Sequence, residues 1–205
     1  MRFPDFHAAA PVVRTHDPLA ELLGASDRGE LDYTYSDAVR LAGHSCPTVA
    51  GAFLMGRAAL AALFPGVRAE RGGVRVDMPA PADHGTTGVI AQVLTLLTGA
   101  AGDGGFHGIG GHHRRHGLLQ FAAEPTRDPI VMRRIDTGAA VAVQLDVSAV
   151  SGDPAQGLRL GAILGNTADA ATRAAFAEAW QDRVRRLLLE HADDPAVVQV
   201  QRLTA

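Results

Sequence analysis

The sequence predicts an α+β fold, a mixed or antiparallel sheet packed against helices. Two observations point there. Apolar residues recur at helical spacing over Pro47–Leu63, Thr87–Thr98 and 168–191. Between and after the first two of these helices lie short strand-like runs: 73–79, whose side chains alternate as in a half-buried strand, and 118–122, 130–135 and 139–147, the last the strongest. At 205 residues the chain is long enough for a substantial core and reads as one domain over 1–205.

In chain order, residues 1–17 carry Pro4 and Pro11 and read as an extended arm, followed by a short helix over 18–23. Asp32–Thr34 suits a short strand, and Ser36 suits the cap of a helical turn over 37–41. Pro47 belongs in the first turn of a helix, because its missing N–H would have lacked an intrahelical partner there. The helix it opens contains Gly51 and Gly56, each costing about 1 kcal/mol relative to alanine, so a neighbour is expected to approach closely. GVRVDMP (73–79) alternates as a strand. Asp83-His84-Gly85-Thr86-Thr87 supplies caps for the helix ending at Gly99, whose apolar stripe is Val89, Ile90, Val93, Leu94 and Leu97. Residues 100–117, AAGDGGFHGIGGHHRRHG, are too glycine-rich for a helix or an ordinary strand. Three strands, a helix over 154–164 and a long helix capped by Asn166 follow. In that helix Phe176, Trp180, Val184, Leu187 and Leu188 form a core or subunit-interface stripe. An edge strand over 197–203 closes the chain.

Composition excludes several chemistries. A net charge of −3 argues against nucleic acid as an obligatory partner. No apolar run approaches the roughly 20 residues of a membrane span, and the N-terminus lacks the apolar stretch of a secretory signal, so the cytoplasm is the expected location. The basic residues are all arginine. Schiff-base lysine chemistry and a Walker lysine are thereby ruled out. The single cysteine, Cys46, rules out an intrachain disulfide and a self-contained zinc ribbon.

Chemical interest centres on LAGHSCPTVAGAFLM, residues 41–55. Cys46 stands at the helix N-cap, facing unpaired backbone N–H groups and the positive end of the helix dipole, with His44 two residues before it. Thiolate and imidazole together suit zinc or another divalent transition metal. With no second cysteine, the remaining donors come from elsewhere: Asp83, His84, or the cluster His112, His113 and His116. The same cluster also reads as an exposed loop with incidental histidines. Arg114 and Arg115 either neutralise an anionic substrate or keep that loop solvated.

Gly43-His44-Ser45-Cys46-Pro47, followed by Gly51 and Arg57-Ala58-Ala59, resembles the motif of the FmdE family, named for a component of formylmethanofuran dehydrogenase. VRVDMP, ADHGTTGVIAQVLTLLTG and the glycine-rich segment follow in the family's order, so the likeness covers about residues 37–122. The resemblance implies an α+β FmdE-like core, commonly dimeric, with a metal near His44 and Cys46 and with Asp83 in the family's acidic turn. Three departures stand out. Ala42 occupies a position where the family often has histidine, Thr48 one where glycine is usual, and the cysteines of the family's zinc-binding tail are missing.

Three functions follow as expectations. One is a metalloenzyme acting on a small substrate, with Cys46 and His44 at its centre. Another is a metal-handling or delivery protein. The last is a metal-free enzyme in which Cys46 is nucleophile and a histidine is base. A homodimer is the expected assembly.

Overall fold

The computed structural model describes residues 3–204. Its elements in chain order begin with helix α1 (Phe6–Ala9), strand β1 (Val13–His16), helix α2 (Pro18–Leu22), strand β2 (Glu30–Tyr33) and helix α3 (Tyr35–Ala42). Helix α4 (Pro47–Leu63), strands β3 (Ala69–Glu70) and β4 (Val74–Met78), and helix α5 (Thr87–Thr98) follow. The second half comprises β5 (Leu119–Phe121), β6 (Ile130–Arg134), β7 (Ala140–Leu145), α6 (Gln156–Leu164), α7 (Ala170–Leu189) and β8 (Val198–Leu203).

These strands build two sheets, and the fold is α+β as expected. The larger runs β5-β4-β6-β7-β8, antiparallel except for the parallel β4–β5 pair. The smaller runs β2-β1-β3, with β1 antiparallel to β2 and parallel to β3. The expected N-terminal arm is therefore in part the middle strand of a sheet. Four residues bounded by Pro11 and Pro18 are too few for alternation to declare itself, although Val13 and Thr15 do turn inward. Helix α1 and the two-residue β3 escape a sequence reading for the same reason of length.

Helix α4 is the centre of the core. It runs over the residues its sequence predicts, and most of its side chains, Val49, Phe53 and Leu54 among them, are fully buried. Each such large side chain contributes about 1.5–3 kcal/mol through burial. The glycines do admit close neighbours. A Cβ on Gly51 would lie 2.3 Å from a methyl of Leu145 on β7, and one on Gly56 would lie 2.6 Å from a methyl of Leu97 on α5. The buried apolar side chains of α3, α4, α5, α7 and both sheets form one continuous cluster.

Two caps differ from expectation. Helix α3 begins two residues earlier than a Ser36 cap would allow, because Thr34 and Asp37 form a reciprocal capping box. Helix α7 is capped by Asp169, whose carboxylate accepts the Thr172 N–H at 2.7 Å. Asn166 instead takes a left-handed conformation, φ 56°, between α6 and α7. The lower part of the expected α7 stripe, Val184, Leu187 and Leu188, is buried, whereas Phe176 and Trp180 are half-buried. Helix α6 buries no residue and exposes Leu158 and Leu164.

The N-terminal turn is held by rings. His7, 3 % exposed, stacks on Phe3 and meets Phe6 and Tyr35 edge-on. Neither of its ring nitrogens has a hydrogen-bond partner among the described residues. No described helix is long and apolar enough to cross a membrane.

Candidate functional site

The motif loop is suspended between two helix ends. Gly43 closes α3 in the left-handed conformation, φ 75°, and its N–H donates to Val39 O. Cys46 opens α4 from an extended backbone, and its Sγ accepts the Val49 N–H at 3.4 Å, so the expected N-cap is formed. Ser45, between them, is clamped from two sides. The Tyr35 hydroxyl on α3 meets Ser45 Oγ at 2.9 Å, and Ser45 Oγ donates to Gln181 Oε1 on α7 at 2.9 Å. Trp180 Nε1 and Gln181 Nε2 both donate to Ser45 O at 3.1 Å, saturating that carbonyl. Burial pushes the Tyr35 phenol well above its ordinary range, so it stays a neutral donor.

His44 is exposed, and its Nδ1 lies 2.9 Å from Ala42 O. A carbonyl only accepts, so Nδ1 carries the proton and the Nε2 lone pair of the neutral ring is left free. Metal-ligating and proton-accepting histidines are oriented by this kind of backbone contact.

The glycine-rich segment after α5 is irregular, as expected, and is folded on itself by an isolated bridge between Ile109 and His112. His116 Nδ1 contacts Asp103 O at 3.1 Å, and its ring stacks on His107 at 4.3 Å between centroids. Arg115 turns inward to Asp17. Its Nη2 donates to Asp17 Oδ1 at 2.6 Å, while Arg71 Nη1 donates to Oδ2 at 2.9 Å. Burial alone would raise the Asp17 pKa, but the Arg71 hydrogen bond and the Arg115 charge prevail and hold it below the ordinary carboxylate range. His112 and His113 line a cavity of about 260 Å³ with Arg71, Arg114 and Arg115.

Asp83 and His84 lie on an exposed turn before α5, where the backbone bonds of His84, not side-chain caps, shape the helix entry. Beside this turn runs a mainly apolar groove of about 340 Å³, lined by Leu41, Phe121 and the Gly88–Ala91–Gln92–Thr95 face of α5, with Arg71 at its side. A cavity of this size and polarity suits a small organic molecule.

The expected donors His44, Cys46, Asp83, His84, His112, His113 and His116 are thus not gathered at one point. Among the described residues, no three His, Cys, Asp or Glu side chains are grouped so as to hold a metal ion. The described residues of one copy thus offer fewer than three grouped donors, and an ion held at Cys46 and His44 would draw its remaining ligands from elsewhere. The functional residues that sequence reasoning missed are Tyr35, Gln181, Asp17 and Arg71. Each acts across at least ten positions of chain, and only Trp180, singled out as part of a stripe, had left a sign.

No known family's sequence profile matches the chain, and no curated protein matches it. Among solved structures, it superposes on a tungsten formylmethanofuran dehydrogenase FmdE-like protein from Syntrophus aciditrophicus with a TM-score of 0.46 and 17 % identity, covering 84 % of this chain and 73 % of that one.

Proposed function

We propose that the protein binds a divalent transition metal, zinc in the first instance, through Cys46 Sγ and His44 Nε2, and that a second copy of the chain completes the coordination. The observation supporting this most directly is the clamp on Ser45. Four side-chain contacts from α3 and α7 fix the residue between the two donors, while His44 keeps an exposed, tautomer-fixed nitrogen. Rigid support of this kind is what a two-donor half-site requires. The exposed leucines of α6 and the groove beside α5 leave apolar surface for a homodimer, and the groove offers room for a small substrate. The metal-free alternative has less support, because Sγ is hydrogen-bonded to the Val49 N–H and not to an imidazole.

Elemental analysis of zinc-loaded protein, with light scattering for mass, tests the proposal. The expected result is stoichiometric zinc on a dimer, with affinity falling about 10–100-fold or more in both Cys46→Ser and His44→Ala. Zinc retained undiminished by both variants, or no zinc uptake by the wild type, overturns it. Timed transfer to a chelator then separates the two metal readings: slow release marks a catalytic or structural ion, and fast, complete release a carrier.

A further inference from the structure

The cavity between the glycine-rich loop and β3 has a composition that the metal reading does not use. Its walls bring together three guanidiniums, from Arg71, Arg114 and Arg115, with His112 and His113. Two carboxylates oppose them, Glu70 on the wall and Asp17 behind it. Asp17 is already saturated, since it accepts from the backbone N–H groups of Leu19 and Ala20 as well as from both arginines. The balance is a net positive pocket even with both imidazoles neutral.

Arg115 carries the inference. Its side chain is only 8 % exposed and, among the described residues, hydrogen-bonds only to Asp17, through Nη2. Its Nε and Nη1 are not among the fully buried polar atoms left without a partner, so they keep access to solvent at the cavity wall and are available to a ligand. The chain also makes room for this guanidinium at the cavity wall: a Cβ at Gly72 would lie 1.5 Å from Arg115 Nη1, so the guanidinium rests against bare backbone. Arg71, by contrast, is spent on Asp17 and on the Leu96 and Thr95 carbonyls. Arg114 is exposed at the rim, tied through Nε to His116 O, with its terminal nitrogens free for a ligand.

We infer that this cavity is a binding site for a phosphate-type oxyanion, gripped by Arg115 from within and Arg114 from the rim, with His112 and His113 as further donors. Guanidiniums match the tetrahedral oxyanion through paired N–H groups, and a water-poor wall strengthens each contact. Arg71 also borders the apolar groove beside α5, so the two cavities share one wall residue. The site does not depend on a metal at Cys46.

Calorimetric titration of the full chain with inorganic phosphate at low ionic strength tests this. Arg114→Gln is at the surface and leaves the Asp17 ion pairs intact, so it is expected to fold and to weaken phosphate about tenfold or more. Glu70→Gln removes the opposing wall charge and is expected to tighten it. Phenyl phosphate distinguishes the sources: tighter binding than phosphate identifies an ester ligand, and equal binding the free ion, with the site upheld in both cases. Absence of saturable phosphate binding below about 10 mM, or affinities unchanged in both variants, overturns the inference.

Discussion

The motif loop at 43–47 and the glycine-rich loop at 100–117 both present histidines, yet they are held by opposite means. The first is five residues long and is fixed by the ends of two helices and by neutral hydrogen bonds to one serine. The second is irregular over eighteen residues, is folded on itself by backbone hydrogen bonds and is tied to the start of α2 by charge, through Arg115 reaching Asp17. The short segment takes its rigidity from the helices that cap it; the long one combines its own backbone bonds with a distant ionic anchor.

The largest way to break this contrast is Asp17→Asn. Leaving the Arg71 and Arg115 guanidiniums facing each other without their shared carboxylate is expected to cost about 3–5 kcal/mol in urea unfolding and to raise hydrogen exchange in the glycine-rich loop first. Acid acts on the same group. Because its folded pKa is depressed, Asp17 contributes stability above the ordinary carboxylate value of about 4, and that contribution is lost as pH falls through the lower folded value. The motif loop should respond to neither change.

A smaller effect sharpens the other side. Tyr35→Phe removes one buried hydrogen bond to Ser45 and is expected to cost about 1 kcal/mol without altering the glycine-rich loop. Loss of zinc affinity in this variant, with Cys46 and His44 intact, would show that the clamp positions the donors.

The smallest expected effect concerns His7. Burial lowers its pKa, so the folded state keeps it neutral while the unfolded chain takes a proton below about 6.5. Stability should therefore decline as pH falls from there, before the carboxylates titrate, and His7→Leu should flatten that part of the profile. An unchanged slope in the variant would assign the decline to another histidine.

Much of the fold was legible, and the reasons differ from element to element. Helices α4 and α5 were readable to the residue because Pro47, Gly99 and an apolar stripe mark their ends and face. Strand β4 showed alternation over five residues, and β6 and β7 stood out as short runs rich in β-branched and apolar residues, β7 most strongly. Strand β1, at four residues between prolines, did not, although it is the centre of its sheet. Within the candidate site, Cys46 at the N-cap was legible for the same local reason as α4. Asp17, Arg71, Tyr35 and Gln181 were not, because nothing in the sequence around an ionic or hydrogen-bonding side chain records the partner it will meet ten, fifty or more than a hundred positions away. The histidines at 112–116 stand close in sequence, yet among the described residues they form no group of three metal donors.

The contact between Gly51 and Leu145 constrains how this chain can change over time. A single methyl added at position 51 meets the leucine at well below van der Waals distance. Gly51→Ala alone therefore requires the half-buried Leu145 side chain to turn aside, setting that cost against alanine's better helix propensity, and Leu145→Ala alone should open a void. The double variant fills that void with the new methyl, and its cost should fall short of the sum of the two. Helix α4 and strand β7 are thus coupled at this contact: the cost of a change at either position depends on the residue present at the other.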